Sequence, residues 1–116
     1  MERTFVYTAI FDKQWENMGL NDEDQRQLEL EILRNPNAGK VIIGTNGLRK
    51  VRVALEGRGK SGGARVLFID IIIAEVVYFI YAYQKGEQDN ISHAQRKQFK
   101  ALVTKIKKEI GGNDSE

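Results

Sequence analysis

The sequence of 116 residues predicts an α+β domain: a small, largely antiparallel sheet with two helices before its main strands and one after them, in the order β-α-α-β-β-β-α. Two runs near the middle, residues 65–70 and 75–83, are rich in β-branched and aromatic residues and apolar on both faces, as central strands covered from both sides would be. Phe99, Leu102, Val103, Ile106 and Ile110 recur at helical spacing near the C-terminal end. A further helical segment between Asn21 and Asn35 carries its own start and stop signals. A chain of this length is expected to make one domain over residues 1–110, followed by a loose tail over 111–116.

Taken in order, residues 4–10 read as a first strand. Phe11, Trp15 and Met18 then follow at helical spacing, with Trp15 as a core anchor and Gly19 closing the helix. Asn21 is a good N-cap, and Asp22, Glu23 and Asp24 stand in the first turn, where the helix dipole favours acids. Leu28, Ile32 and Leu33 give this second helix its apolar face. Asn35-Pro36 ends it, because proline pushes the residue before it out of helical angles. Asn37-Ala38-Gly39 reads as a turn, Val41-Ile42-Ile43 as a short apolar anchor, and Gly44-Thr45-Asn46-Gly47 as another turn. In the strand over 48–55, Arg49, Val51 and Val53 share one face, and Leu48, Lys50, Arg52 and Ala54 the other. Residues 71–74 form an unusually apolar turn between the two central strands. After a polar loop, Ser92 opens the last helix with Gln95 three residues on, a capping box, and Gly111-Gly112 ends it.

Composition removes several classes of function. There is no cysteine, so disulfides and thiolate metal sites are out. One histidine, His93, reads as a surface helix residue, and without a carboxylate cluster or HExxH motif a metal site has little support. Ser61 and Ser92 lack the His-Asp company of a catalytic triad. The start has no charged region followed by an apolar core, so no signal peptide is expected. Asp70 and Glu75 interrupt the longest apolar region, which favours two strands over a membrane span. The net charge is +2 but unevenly placed: five Lys/Arg against eight Asp/Glu over 1–48, and thirteen against eight over 49–116. That asymmetry suits an anionic partner on one side.

The cations concentrate between Gly47 and Arg65, where Arg49, Lys50, Arg52, Arg58, Lys60 and Arg65 face a single acid, Glu56, among five glycines. Glycine lets backbone approach a ligand closely, so the stretch suits phosphate. Ala54 to Ser61 nearly matches the phosphate-binding loop G-x-x-x-x-G-K-[ST]. That loop works by feeding a helix whose N-terminal amides hold the phosphates. Here Gly62-Gly63 and a β-patterned run follow, and too few residues precede Asp70 for a parallel crossover. A nucleotide triphosphatase is therefore excluded. RNA is the better match, because it carries its own nucleophile: cleavage needs a base for a 2′-hydroxyl, cations for the extra charge on phosphorus, and an acid for the leaving 5′-oxygen.

Gly47-Leu48-Arg49-Lys50-Val51-Arg52-Val53, Gly59-Lys60, Gly62-Gly63-Ala64-Arg65, Tyr83-Gln84-Lys85 and Gln95-Arg96-Lys97-Gln98 together resemble the RelE/HigB toxins of bacterial type II toxin–antitoxin pairs, most closely a HigB-like branch. The resemblance spans roughly residues 4–108 and implies the RelE-like fold. It implies a ribosome-dependent endoribonuclease that cuts mRNA in the ribosomal A site, inhibits translation, uses no metal or cofactor, and acts in the cytoplasm. It implies a cognate antitoxin as partner, a small helix-turn-helix protein, beside the ribosome and mRNA. By position, Arg65 resembles the arginine at the scissile phosphate, Lys60 and Arg58 the basic loop residues that orient or activate RNA, and Lys85 a phosphate or acid-base contributor. Tyr83 is placed to stack on a base. Arg49, Lys50, Arg52 and Arg96 complete the expected RNA-binding set with Arg58. Two other readings stand beside this one: a non-catalytic RNA- or ribosome-binding module on the same basic face, and a protein-interaction module built on the apolar 66–83 hairpin.

Overall fold

The computed structural model describes residues 3–35, 38–55, 59–86, 88 and 90–111. The elements are β1 (Thr4–Tyr7), α1 (Ala9–Asn17), α2 (Asp22–Arg34), β2 (Lys40–Val41), β3 (Arg49–Leu55), β4 (Gly59–Ile71), β5 (Val76–Gln84) and α3 (His93–Gly111). The strands make one mixed sheet in the order β1-β5-β4-β3-β2. β1 runs parallel to β5, and the other pairs are antiparallel. The expected tail beyond Gly111 lies outside the described residues.

Helices cover both faces of the sheet. On one face, Phe11 and Trp15 of α1 and Leu28 and Ile32 of α2 pack on Val51, Val66, Phe68, Val77 and Phe79. Rings dominate this core, with Phe11 and Trp15 stacked at 5.4 Å and Tyr7 over Phe79 at 4.9 Å. On the other face, Phe99, Val103 and Ile106 of α3 pack on Leu48, Leu67, Ile69, Ile71 and Ile80. The expected core stripe of α3 is thus the buried one, and Trp15 is the anchor its spacing implied.

The first strand stops earlier than its β-branched and aromatic run suggests. Thr8 caps α1: its hydroxyl accepts the Phe11 N–H at 3.1 Å and donates to the Ile80 carbonyl at 3.0 Å, so Ala9 and Ile10 join the helix. Asn21 caps α2 in a reciprocal capping box with Asp24, both bonds at 2.9 Å. Ser92 and Gln95 form the same box before α3, at 2.9 and 3.1 Å.

Val41-Ile42-Ile43 is not the apolar anchor its composition suggests, since Val41 is 51% exposed and Ile43 84%. Only Ile42 packs inward. The turn is held by polar groups instead: buried Thr45 donates to the Ile42 carbonyl at 2.6 Å and accepts from the Leu48 N–H at 3.2 Å. Lys107 of α3 clasps the Asn46 carbonyl at 2.8 Å.

Two irregularities shape the site. The Gly-rich segment after Leu55 is strand from Gly59 onward, not a long loop; Leu55 pairs with Gly59 and Val53 with Ala64, with a register shift between them. Glycines tolerate such a shift because they have no side chain to misplace. On β5, Leu67 pairs with Tyr81 but Phe68 with Phe79, leaving Ile80 as an extra residue. Beyond this bulge the alternation is reversed: Val77, Phe79 and Ala82 line the α1/α2 core, while Tyr81 and Tyr83 turn toward α3.

At the far end of the sheet, Arg3 Nε meets Asp70 Oδ1 at 3.1 Å, with side chains only 5% and 7% exposed. This pair ties the start of β1 to the end of β4 across intervening β5.

Candidate functional site

β3, β4 and β5 set three residues side by side: Arg52 is the cross-strand partner of Arg65, and Arg65 that of Tyr83. Strand pairing fixes this row, and the Ile80 bulge brings Tyr83 onto the same face as the two arginines. Cross-strand neighbours of like charge repel, so a sheet that places Arg52 against Arg65 accepts a cost that a bound anion would reverse.

Around the row opens a cleft of about 850 Å³ lined by Gly39, Lys40, Lys50, Val51, Arg52, Arg65, Lys85 and Asn90. Five of those eight residues are cationic and none is acidic. α3 covers Leu67 and Ile69, and its cover gives way at Arg65, two residues earlier on the same face. Arg65 is only 7% exposed, yet its guanidinium makes one long bond, 3.5 Å from Nη1 to the Ala64 carbonyl. Among the described residues no carboxylate lies within ion-pair distance of any of the five cations. A guanidinium buried and fixed without a counter-ion is preorganised for an incoming one.

Lys50 lines the cleft, its Nζ 3.3 Å from Asn90 Oδ1. Burial first, then the charges of Arg65, Lys85 and Lys40, hold its pKa below the ordinary lysine value. Each of these disfavours the charged ammonium. Lys85 is placed by its own backbone: its N–H bonds to the Gly63 carbonyl at 3.0 Å, extending the β4–β5 ladder past Gln84. Gly39 shapes the opposite wall. With φ at +77° and a Cβ position 2.6 Å from the Lys50 carbonyl oxygen, it lets the chain cross directly over β3.

The structure thus brings together Arg65, Lys85, Lys50 and Arg52 from the expected set. Tyr83 lies beside Arg65 but is buried, 5% exposed, with its ring 6.1 Å from that of Tyr81. Arg49 faces away from the cleft, as its strand alternation requires, and donates to the Gly39 carbonyl at 3.2 Å. Arg96 stands on α3 and holds the Ile43 carbonyl of the turn before β3, so it braces the fold and does not line the cleft. Lys60 falls within β4 by backbone, with its side chain outside the description, and Arg58 lies outside the described residues. Lys40 and Asn90 were absent from the sequence-based set. No local signal marks them; one is carried in by the two-residue strand β2, the other by the loop before α3.

A mixed sheet with helices on both faces, and a cleft lined by five cations and, among the described residues, no acid, defines a small α+β protein. The family described as RelE toxin of the RelE/RelB toxin–antitoxin system matches residues 2–111, and the chain belongs to that family. Among solved structures, a doubly substituted E. coli RelE toxin in the free state superimposes with a TM-score of 0.56 at 18% identity, over 89% of this chain and 98% of that one. The isolated E. coli RelE toxin gives a TM-score of 0.50 at 18% identity, over 86% and 98%. At that identity the likeness is one of fold, and it agrees with the α+β RelE-like architecture expected from the sequence.

Proposed function

We propose that this chain is a metal-independent, ribosome-dependent endoribonuclease that cuts mRNA in the ribosomal A site and so inhibits translation in the cytoplasm. Its motifs group it with the HigB-like branch of the family. Its activity is held in check by direct binding of a cognate antitoxin, a small helix-turn-helix protein. The observation that carries this reading is the Arg52–Arg65 pair, two guanidinium groups aligned across adjacent strands with no described acid to neutralise them.

The chemistry follows from what lines the cleft. The 2′-oxygen of the RNA attacks the adjacent phosphorus while the bond from phosphorus to the 5′-oxygen breaks. The products are a 2′,3′-cyclic phosphate and a 5′-hydroxyl. Lys50, with its ammonium disfavoured, takes the 2′-hydroxyl proton in its neutral form. Arg65 and Arg52 hold the charge that builds on the phosphoryl oxygens. Lys85, exposed at the mouth, returns a proton to the departing 5′-oxygen. Tyr83 supports Arg65 from the next strand, and Lys60 and Arg58 extend the basic track along the hairpin.

Mapping of mRNA 5′ ends after induced expression tests this. Cuts in phase with codons that vanish in Arg65→Ala, with the variant still folded by circular dichroism, are the expected result. A wild-type protein that binds ribosomes in a salt-dependent way but yields no new 5′ ends would leave only RNA binding.

A further inference from the structure

β1 is short. Its last pairing with β5 is Tyr7 with Phe79, and the Thr8 N–H then bonds to the Phe79 carbonyl at 3.1 Å. Past that point β5 has an open edge. There the Ala82 N–H is taken by Gln14 Oε1 of α1 at 2.8 Å. Ala82 therefore turns its backbone outward, and by the alternation of an antiparallel ladder Gln84 does so too. A recess of about 230 Å³ lies at this edge, lined by Gln14, Asn17, Met18, Tyr81, Ala82, Tyr83, Gln84 and Gln88.

The lining is uncharged. It combines carboxamides, a thioether and tyrosine rings, next to a cleft made of cations. A phosphate would find no counter-charge in it. A nucleobase would find flat apolar contact and neutral donors and acceptors, as bases splayed from single-stranded RNA require. The recess is about a quarter the size of the cleft and fits one ring system, not a length of chain.

Its position matches. Tyr83 is the cross-strand partner of Arg65, and Gln84 precedes Lys85, so the last residues of β5 form the wall between recess and cleft. Two of the amides are already committed. Gln14 holds Ala82, and Gln88 donates to the Asn90 carbonyl at 3.0 Å and to Gln95 Oε1 at 2.9 Å. The side chains of Asn17, exposed at the end of α1, and Gln84 have no hydrogen-bond partner among the described residues, and each offers both a donor and an acceptor.

We infer that this recess takes one base of the RNA whose phosphate lies at Arg65, and that Asn17 and Gln84 read its edge. The inference rests on the ribonuclease reading. It makes base preference a property of the α1–β5 edge, away from the cations that bind the backbone.

The test uses purified ribosomes and an mRNA with a randomised codon at the cut site, with 5′ ends sequenced for the wild type, Asn17→Ala, Gln84→Ala and the double variant. The expected result is a wild-type base preference at one nucleotide position that falls at least about fivefold in the double variant, the scale of one or two lost hydrogen bonds. In parallel, RNA carrying 4-thiouridine is photo-crosslinked to Arg65→Ala protein, with adducts expected at Met18 or residues 81–84. This arm decides if a variant cuts too slowly to score. A wild type that cuts without base preference, a preference intact in the double variant, or adducts confined to other segments would overturn the inference while leaving the ribonuclease reading standing. A wild type that cuts nothing removes the ribonuclease reading first.

Discussion

Arg65 occupies the middle strand of the sheet, where a charge is costly to bury and where nothing mobile can displace it. In the proposed reaction its fixed position is what would count: donors that need no rearrangement when charge develops contribute most to a transition state. Arg65→Ala is expected to lower mRNA cleavage by about 10²- to 10³-fold, the scale measured for one preorganised donor. Lys50 gives a second expectation. Because its pKa lies below the ordinary lysine value, the rising limb of the pH–rate profile should fall below 10.5, and Lys50→Arg, which cannot deprotonate, should abolish that limb. The sign for stability follows from the same shift. Between the folded and ordinary lysine values the unfolded chain carries the extra proton, so stability rises with pH across that window, and Lys50→Met should flatten the rise. A pH series of cleavage rates and of urea midpoints checks both.

Among the elements, β1 and β4 are joined by an interaction that the sequence shows only as two distant charges. Arg3 and Asp70 are buried as a pair, and removing Asp70 takes this carboxylate away from a buried guanidinium. Asp70→Ala is expected to cost about 3–5 kcal/mol. For a domain of this size that is a fall in melting temperature of roughly 12 °C or more, measurable by a thermal scan. Asp70→Ala should leave the cleft's own residues in place, because the pair sits five residues beyond Arg65 along β4 and does not line the cleft. Local signals in the sequence were enough for α2 and α3: the caps at Asn21 and Ser92 and the stripe from Phe99 to Ile110 read directly as they stand in the fold, whereas the Thr8 cap of α1 was hidden inside a β-patterned run. The alternation of β3 likewise put Lys50 and Arg52 on one face and Arg49 on the other. What stayed hidden depends on pairing between strands. The Ile80 bulge decides which way Tyr83 points, and it exists only because β5 matches β4 on both sides of it. Lys40 and Asn90 reach the cleft through chain reversal, and Arg96, basic like its neighbours, is claimed by a backbone carbonyl that no periodicity reveals.

At the scale of the whole molecule, the sheet separates two cores and leaves the cationic cleft where the α3 layer ends. Five cations held together without a described acid repel one another in the free protein, so an anion that binds there should stabilise the fold by linkage. Inorganic phosphate or sulfate is expected to raise the melting temperature more than chloride at equal ionic strength, with the excess lost in the Arg52→Ala/Arg65→Ala double variant. Equal effects of the three salts on wild type and variant would contradict this.

The acidic groove between α1 and α2 gives the charge layout a further meaning. Asp12, Glu16, Asp22 and Glu23 line that groove beside Trp15 and Tyr7 on the α1/α2 side of the sheet, while Lys50, Arg52 and Arg65 share the α3 side. A body with opposite signs on its two sides acts as a compass needle near a polyanion: torque turns it before contact. Encounters that begin with the wrong side forward are rotated or rejected, so in the proposed ribonuclease reading productive approach to RNA would speed up although the net charge is only +2. Association should therefore slow with added salt more steeply than that net charge alone would predict.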